Sequence, residues 1–136
     1  MATLRLEIVT PEAKTYSDDV DSVVIPGVDG ELGILPLHVA LMTQLLPGEL
    51  RITKDGQETR LAVGEGFVEV TGKTVSVLTD MAVPESDIDE SATEEAIRRA
   101  ESAMKEEHLD EEGLANVQAS LLKSLAQLRV KRRRVI

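Results

Sequence analysis

The pattern of apolar residues divides the chain into two parts with different periods. In the first part apolar and polar residues alternate, as at Leu4, Leu6 and Ile8, and a period of two is typical of half-buried strands. The same alternation recurs at Leu50 and Ile52, at Val68 and Val70, and at Val75 and Val77. Turn signals fall between these runs at Asp29-Gly30, Pro47-Gly48, Asp55-Gly56 and Thr71-Gly72. We therefore predict an all-β antiparallel sandwich or barrel over residues 1–86.

The second part, residues 87–136, has the three- to four-residue spacing of amphipathic helices. Ser91 and Glu94 have capping-box spacing, which predicts a first helix running to about Glu107. Asp110 is the expected N-cap of a second helix. The two inward faces are predicted to be Ala92, Ala96, Ala100 and Ala103 against Leu114, Val117, Leu121, Leu125 and Leu128. The pattern thus predicts an antiparallel two-helix hairpin with a narrow, weakly held seam.

Charge is distributed unevenly along this hairpin. Residues 88–112 hold ten acids and three bases, whereas residues 113–136 hold six bases and no acid. The whole chain has a formal net charge of −10, which argues against nucleic-acid binding because phosphate contacts need a basic face. The run Lys131-Arg132-Arg133-Arg134 has two interpretations, a solvated helix end or a cationic arm for an acidic protein surface.

Residue types that carry catalysis or bind metals are sparse. The chain contains no cysteine, and its two histidines, His38 and His108, lack a clustered third ligand. No serine, histidine and acid have the spacing of a nucleophile and its base. No apolar run approaches the roughly 20 residues that span a bilayer. We therefore predict a soluble protein with no catalytic residue, no metal and no cofactor.

One segment of the sandwich region resembles a known family. It is Gly30-Glu31-Leu32-Gly33-Ile34-Leu35-Pro36-Leu37-His38, followed by Leu41, Thr43 and Pro47-Gly48. The segment resembles the signature of the ε subunit of bacterial and chloroplast F-type ATP synthases. The likeness continues through residues 64–70 and 75–78 and ends with residues 118–120 and 126–130 in the second helix. It covers essentially the whole chain.

The resemblance implies a non-catalytic rotor subunit of the central stalk. Such a subunit couples the γ subunit to the c-ring during proton-driven ATP synthesis. Its hairpin can lie folded on the sandwich or extend into the α/β catalytic hexamer and inhibit ATP hydrolysis. The expected location is peripheral, on the cytoplasmic face of a bacterial inner membrane or the stromal face of a thylakoid membrane, with membrane contact only through the complex.

The resemblance also assigns roles to individual residues. Glu31 and Leu32 are expected to contact the c-ring, and His38, Leu41 and Met42 to contact γ. The expected contacts with the acidic surface of the β subunits are Arg129, Lys131, Arg132, Arg133 and Arg134.

Some family members bind ATP on the folded hairpin through an aliphatic residue, aspartate, two residues, arginine and alanine. Ile88 and Asp89 match the start of this motif, but Ala92 and Thr93 replace its arginine and alanine. Losing a charged phosphate donor weakens anion binding. ATP binding is therefore expected to be weak or absent, with Asp89, Arg98 and Arg99 as weak nucleotide candidates.

If the family resemblance is set aside, the sequence features allow an alternative function. A freestanding β-sandwich could bind a small ligand or a peptide, with the two helices as its lid. It would have no rotor partner.

Overall fold

The computed structural model describes residues 2–106 and 108–132. Within these residues, ten strands precede a 3-10 helix at Glu85–Asp87 and two long helices. The strands are β1 (Leu4–Val9), β2 (Lys14–Val20), β3 (Ser22–Gly27), β4 (Gly30–Ile34), β5 (Leu41–Leu45), β6 (Gly48–Lys54), β7 (Gln57–Val63), β8 (Gly66–Val70), β9 (Thr74–Thr79) and β10 (Ala82–Pro84). The helices are α1 (Glu90–Glu106) and α2 (Glu111–Arg132).

The strands are hydrogen-bonded in the order β10-β7-β6-β3-β5-β8-β9-β1-β2, and β4 pairs with β3. This sheet folds over its main apolar core, so the predicted sandwich with a C-terminal helical hairpin is confirmed. One pair departs from the antiparallel prediction, because β1 runs parallel to β9 from Arg5 opposite Thr74 to Val9 opposite Leu78. Alternation along one strand carries no information on the direction of its neighbour.

The core is formed by the positions that the alternation predicted. Leu4, Leu6 and Ile8 on β1 are at most 1% exposed, since every second side chain of a strand points to the same face. The other predicted inward residues, Leu50, Ile52, Val68, Val70, Val75 and Val77, are equally buried.

Three of the four predicted turns close neighbouring strands. The β6–β7 turn has Asp55 at φ 52° and Gly56 at φ 77°, the left-handed pair that a two-residue hairpin turn requires. Asp29-Gly30 joins β3 to β4, and Thr71-Gly72 joins β8 to β9.

Pro47-Gly48 is the exception, because β5 and β6 do not pair with each other. The chain here crosses between two parts of the sandwich, and the Leu46 amide donates to the Pro26 carbonyl at 2.9 Å. A Cβ at Gly48 would stand 3.0 Å from the Cβ of Pro26. Glycine is therefore needed for a close crossing rather than for a hairpin turn.

The two helices begin at aspartates. The Ala92 amide donates to Asp89 Oδ1 at 3.0 Å, so Asp89 caps α1 and the predicted cap at Ser91 is wrong. The carboxylate of Asp89 lies just before the first turn, whereas Ser91 is already helical. The Gly113 amide donates to Asp110 Oδ1 at 2.7 Å, which confirms the predicted cap of α2.

The α2 helix packs on β6 and β7, and α1 packs on α2. Their buried residues are Thr93, Ala100, Ser124, Ala126 and Val130. The predicted seam is therefore only partly correct: Ala92 is exposed, and Leu114 and Leu125 are 38% and 44% exposed. Because α2 has two neighbours, its contacting surface includes Ala126 and Val130 and is not the leucine stripe alone.

Candidate interaction surfaces

Glu31 and Leu32, the residues predicted to contact the c-ring, lie at the start of β4, and Arg51 joins Glu31 to β6. Glu31 Oε2 accepts a hydrogen bond from Arg51 Nη1 at 2.8 Å, and the same nitrogen lies 3.1 Å from Oε1 of the buried Glu49. These carboxylates, Glu31 foremost, raise the pKa of Arg51 despite its partial burial. Leu32 packs against the main core. Glu31 is therefore the accessible member of the predicted pair, and Leu32 is mainly a core residue.

The residues assigned to γ lie in and after the loop between β4 and β5. His38 is half-buried, with Nδ1 2.7 Å from the carbonyl oxygen of Val39. Leu41 packs against the core, whereas Met42 is 67% exposed. Leu37 adopts φ 66°, and its amide donates to the Gly72 carbonyl at 3.0 Å, which ties this loop to the β8–β9 turn.

Met42 belongs to an exposed apolar surface that the sequence analysis did not identify. Phe67 on β8 and Leu78 on β9 are 59% and 55% exposed and lie opposite each other in the register. Phe67 also lies opposite Gln44, so Met42 is its diagonal neighbour on the same face. We call Met42, Phe67 and Leu78 the apolar face. The alternating pattern of β8 already indicated one member of this face, because burial of Val68 directs the neighbouring Phe67 outward.

The hairpin covers a different part of the sandwich. Ala62 on β7, Ile88 and Val130 are buried together, with Met81 and Val83 packed against them. Polar contacts surround this small cluster: Lys123 Nζ lies 3.1 Å from Asp80 Oδ2, Gln127 Nε2 lies 3.1 Å from the sulfur of Met81, and Lys131 Nζ lies 3.4 Å from the Glu85 carbonyl oxygen.

Arg132 joins the end of α2 to the start of α1. Its Nε lies 2.6 Å from Glu90 Oε1, and its Nη2 lies 2.5 Å from Glu94 Oε1. The bond to Glu90 is the main reason that the pKa of Arg132 is raised. Arg133 and Arg134, the other predicted members of the basic cluster, lie outside the described residues.

Arg129 lines two adjoining grooves between α2 and the sandwich. One, of about 560 Å³, is mainly apolar and is lined by Leu46, Pro47, Gly48, Leu122, Leu125, Ala126 and Arg129. The other, of about 430 Å³, also contains Glu31 and Arg51. The structure therefore brings together Glu31 and Arg129, which the resemblance assigns to different partners.

The nucleotide candidates do not converge on a common site. Asp89 caps α1, and Arg98 and Arg99 pair with Glu94 and Glu95 on their own helix at 3.9 and 3.1 Å. Thr93, at the motif's alanine position, donates its hydroxyl to the Asp89 carbonyl at 2.7 Å.

Within residues 2–106 and 108–132, no three histidine, cysteine or acidic side chains are grouped to hold a metal ion. None of the helices described is long and apolar enough to cross a membrane.

These features define a β-sandwich with a two-helix hairpin docked on one outer surface. Residues 3–85 match the β-sandwich domain of the ATP synthase delta/epsilon chain, and residues 86–132 match its long α-helix domain. The ATP synthase epsilon chain of Halorhodospira halophila is 44% identical over 131 residues, with 95% of this chain and 92% of the relative covered. That of Dehalococcoides mccartyi is 41% identical over 134 residues, with 98% and 96% covered.

Two solved structures share the fold. A chain of the Euglena gracilis mitochondrial ATP synthase OSCP/F1/c-ring assembly aligns with a TM-score of 0.77 at 24% identity, over 93% of this chain and 79% of the other. A chain of the Tetrahymena thermophila mitochondrial ATP synthase central stalk and c-ring aligns with a TM-score of 0.59 at 15% identity, over 94% and 96%. The chain belongs to the ATP synthase delta/epsilon family. This membership favours the ATP synthase interpretation over the freestanding ligand-binding sandwich.

Proposed function

We propose that this chain is a rotor subunit of the ATP synthase central stalk. It couples γ to the c-ring during proton-driven ATP synthesis, and its C-terminal helices inhibit ATP hydrolysis by the α/β hexamer. The subunit would lie peripherally on the cytoplasmic face of a bacterial inner membrane or on the stromal face of a thylakoid membrane. Family membership supports this proposal, and the separation of the apolar face from the hairpin surface is the observation that carries it.

The apolar face supports the contact with γ. Contiguous exposed apolar surface usually marks a protein interaction site, and Met42, Phe67 and Leu78 lie on three neighbouring strands. Leu41 is the neighbour of Met42 on β5, and His38 lies in the loop before this strand, so both would lie at the margin of this contact. The exposed carboxylate of Glu31 would meet the polar loops of the c-ring.

The contact with γ can be tested by placing charge on the apolar face. Met42→Glu with Phe67→Glu should weaken binding to γ at least about tenfold, because charged groups would be desolvated at the centre of the interface. The control is Thr59→Glu, at an exposed position on β7. Surface plasmon resonance with immobilised γ measures both. Equal binding of the double variant and the control would exclude this face as the γ contact.

The small apolar contact of the hairpin supports the inhibitory role. Few buried side chains hold α2 on the sandwich, so the hairpin can leave at modest free-energy cost. The extended hairpin would then present Arg129 and the bases from Lys131 to Arg134 to acidic regions of the β subunits. Complementary charge of this kind directs and speeds docking.

The inhibitory role predicts a loss of function on charge removal. Changing Lys131, Arg132, Arg133 and Arg134 together to glutamine should reduce the inhibition of ATP hydrolysis by an ε-depleted catalytic core. Arg98→Gln with Arg99→Gln removes bases from α1 instead and should leave inhibition near that of the unaltered chain. Full inhibition by the fourfold variant would contradict the assigned role of these bases.

We also propose that the hairpin binds ATP weakly or not at all. Asp89 already accepts a helix-capping bond, and Arg98 and Arg99 are exposed and paired on α1. Calorimetric titration with ATP should therefore give no measurable heat of tight binding. Ala92→Arg with Thr93→Ala restores the motif and should strengthen binding by about tenfold or more. Tight binding by the unaltered chain would refute this part of the proposal.

A further inference from the structure

The bases proposed to contact the β subunits already have acidic neighbours within the chain. Arg132 at the end of α2 lies 2.6 Å from Glu90 and 2.5 Å from Glu94. These two acids are four residues apart on α1 and therefore lie one above the other on the same helix face. Two carboxylates already lie against this guanidinium at Nε and Nη2 and neutralise its charge, which weakens its attraction for another acid. The docked hairpin thus occupies a cation that an acidic partner would need.

A second ion pair fixes α2 to the sandwich. Lys123 lies 3.1 Å from Asp80, which is in the connection between β9 and β10. Asp80 can take this position because residue 64 is glycine: a Cβ there would overlap Asp80 Oδ1. The Gly64 amide also donates to the Met81 carbonyl at 3.0 Å, which holds the connection in place.

We propose that Glu90 and Glu94 are an internal acidic competitor for the acidic partner of α2. While the hairpin is docked, these carboxylates hold Arg132, and an external acidic surface must compete with them for its charge. The inference rests on the proposed function only in taking that external surface to belong to the β subunits. Because the internal and external acids compete for one cation, a change of Glu90 or Glu94 that weakens the internal pairing strengthens the external one.

The proposal leads to an unusual prediction. Removing the acidic side chains of Glu90 and Glu94 should increase the binding of this chain to an acidic partner. Exposed ion pairs each shift an equilibrium by up to about fivefold, so loss of both partners of Arg132 should have an effect of about five- to twentyfold. The effect should shrink at high salt, which screens exposed pairs.

The test compares two full-chain variants of equal charge. Glu90→Gln with Glu94→Gln removes the carboxylates that face Arg132. The control, Glu95→Gln with Glu101→Gln, removes two acids from exposed positions of the same helix, where Glu95 pairs only with Arg99 among the pairs observed. Circular dichroism checks that α1 remains helical in both, because Glu90 also lies at the favourable N-terminal end of the helix.

Two measurements on these variants decide the inference. Amide hydrogen exchange of α1 and α2 reports opening of the hairpin, and binding of poly-L-glutamate at several salt concentrations reports the availability of the bases. We expect the Glu90/Glu94 variant to exchange faster in the hairpin and to bind poly-L-glutamate five- to twentyfold more tightly than the control, with unchanged exchange in the sandwich. Equal exchange and equal binding in the two variants would overturn the inference.

Hydrolysis assays separate this inference from the proposed function. If the chain inhibits an ε-depleted catalytic core, the Glu90/Glu94 variant should inhibit at a lower concentration than the control. If neither the unaltered chain nor any variant inhibits, the inhibitory role is rejected, and hydrogen exchange and poly-L-glutamate binding still decide whether the internal competitor exists.

Discussion

The sandwich and the hairpin are held together by different kinds of contact. Within the part of the chain that the structure describes, sixteen buried apolar residues form the sandwich core, whereas three join the hairpin to the sandwich. Hydrophobic burial is non-directional and weakly sensitive to charge, so the sandwich should persist through changes of partner and salt. The hairpin depends more on ion pairs: Lys123 joins α2 to Asp80 of the sandwich, and Arg132 joins α2 to Glu90 and Glu94 of α1. The hairpin should therefore respond to changes of partner and salt, whereas the fold of the sandwich should not.

The largest expected effect comes from opening a cavity in the sandwich. Leu50→Ala should lower the free energy of unfolding by about 3 kcal/mol, because Leu50 is fully buried and its neighbours cannot fill the space. Leu125→Ala on α2, where the side chain is 44% exposed, should change it by less than about 0.5 kcal/mol. Urea denaturation measures both. Similar losses in the two variants would mean that the two regions do not differ as described.

The next effect concerns close backbone packing between β8 and β9. A Cβ at Gly66 would overlap the carbonyl oxygen of Leu78, which is part of the sheet and cannot rotate away. Gly66→Ala should therefore destabilise the chain by about 2 kcal/mol. Gly33→Ala on β4 is the control, because a Cβ there meets nothing within 4 Å. Thermal unfolding followed by circular dichroism should show a lower midpoint for Gly66→Ala alone.

A smaller effect should be confined to the hairpin. Asp110→Ala removes the acceptor of the Gly113 amide and should weaken the start of α2 by about 1 kcal/mol. Asp110→Asn keeps a capping oxygen and should behave almost like the unaltered chain. Amide hydrogen exchange can localise the change. Faster exchange in β1, β8 and β9 as well as in α2 would show that the hairpin and sandwich open as one unit.

The smallest effect is the acid response of one surface pair on the sandwich. Asp18 accepts a hydrogen bond from Lys54 at 2.5 Å, and this bond lowers the pKa of Asp18 below its ordinary 3.8. A carboxyl group whose pKa is lower in the folded state stabilises the fold at pH values above its unfolded-state pKa. This stabilisation is lost as the pH falls through the folded-state pKa. Asp18→Asn should therefore lower the free energy of unfolding at pH 7. The difference in this free energy between the variant and the unaltered chain should shrink as the pH falls below about 4. If the difference in free energy of unfolding does not change with pH, the effect of the substitution comes from packing and not from the charge of Asp18.

The sequence predicted the sandwich because period-two alternation fixes which side chain faces inward. Leu4, Leu6 and Ile8 could be assigned to the core without knowing their neighbours, and the cap at Asp110 is equally local. The parallel pairing of β1 with β9 depends on strands about 70 residues apart in sequence, and no local pattern encodes it.

The interaction surfaces were harder to predict because they depend on how elements are oriented. The outward position of Phe67 follows from burial of Val68, but its proximity to Met42 and Leu78 requires the strand order. The pairing of Arg132 with Glu90 and Glu94 depends on how α2 is oriented about its axis relative to α1. The predicted inward face of leucines on α2 did not give this orientation. The resemblance supplied partners for single residues, but it did not indicate that Glu31 and Arg129 line one cavity.

The parallel pairing of β1 with β9 also affects how the chain matures on the ribosome. The first strand can pair with β2 early, but its other edge stays open until residues 74–78 have been synthesised and released from the exit tunnel. Open strand edges promote association between nascent chains. The N-terminal strand, although made first, is therefore completed late, and fragments that end before β9 are expected to aggregate during translation.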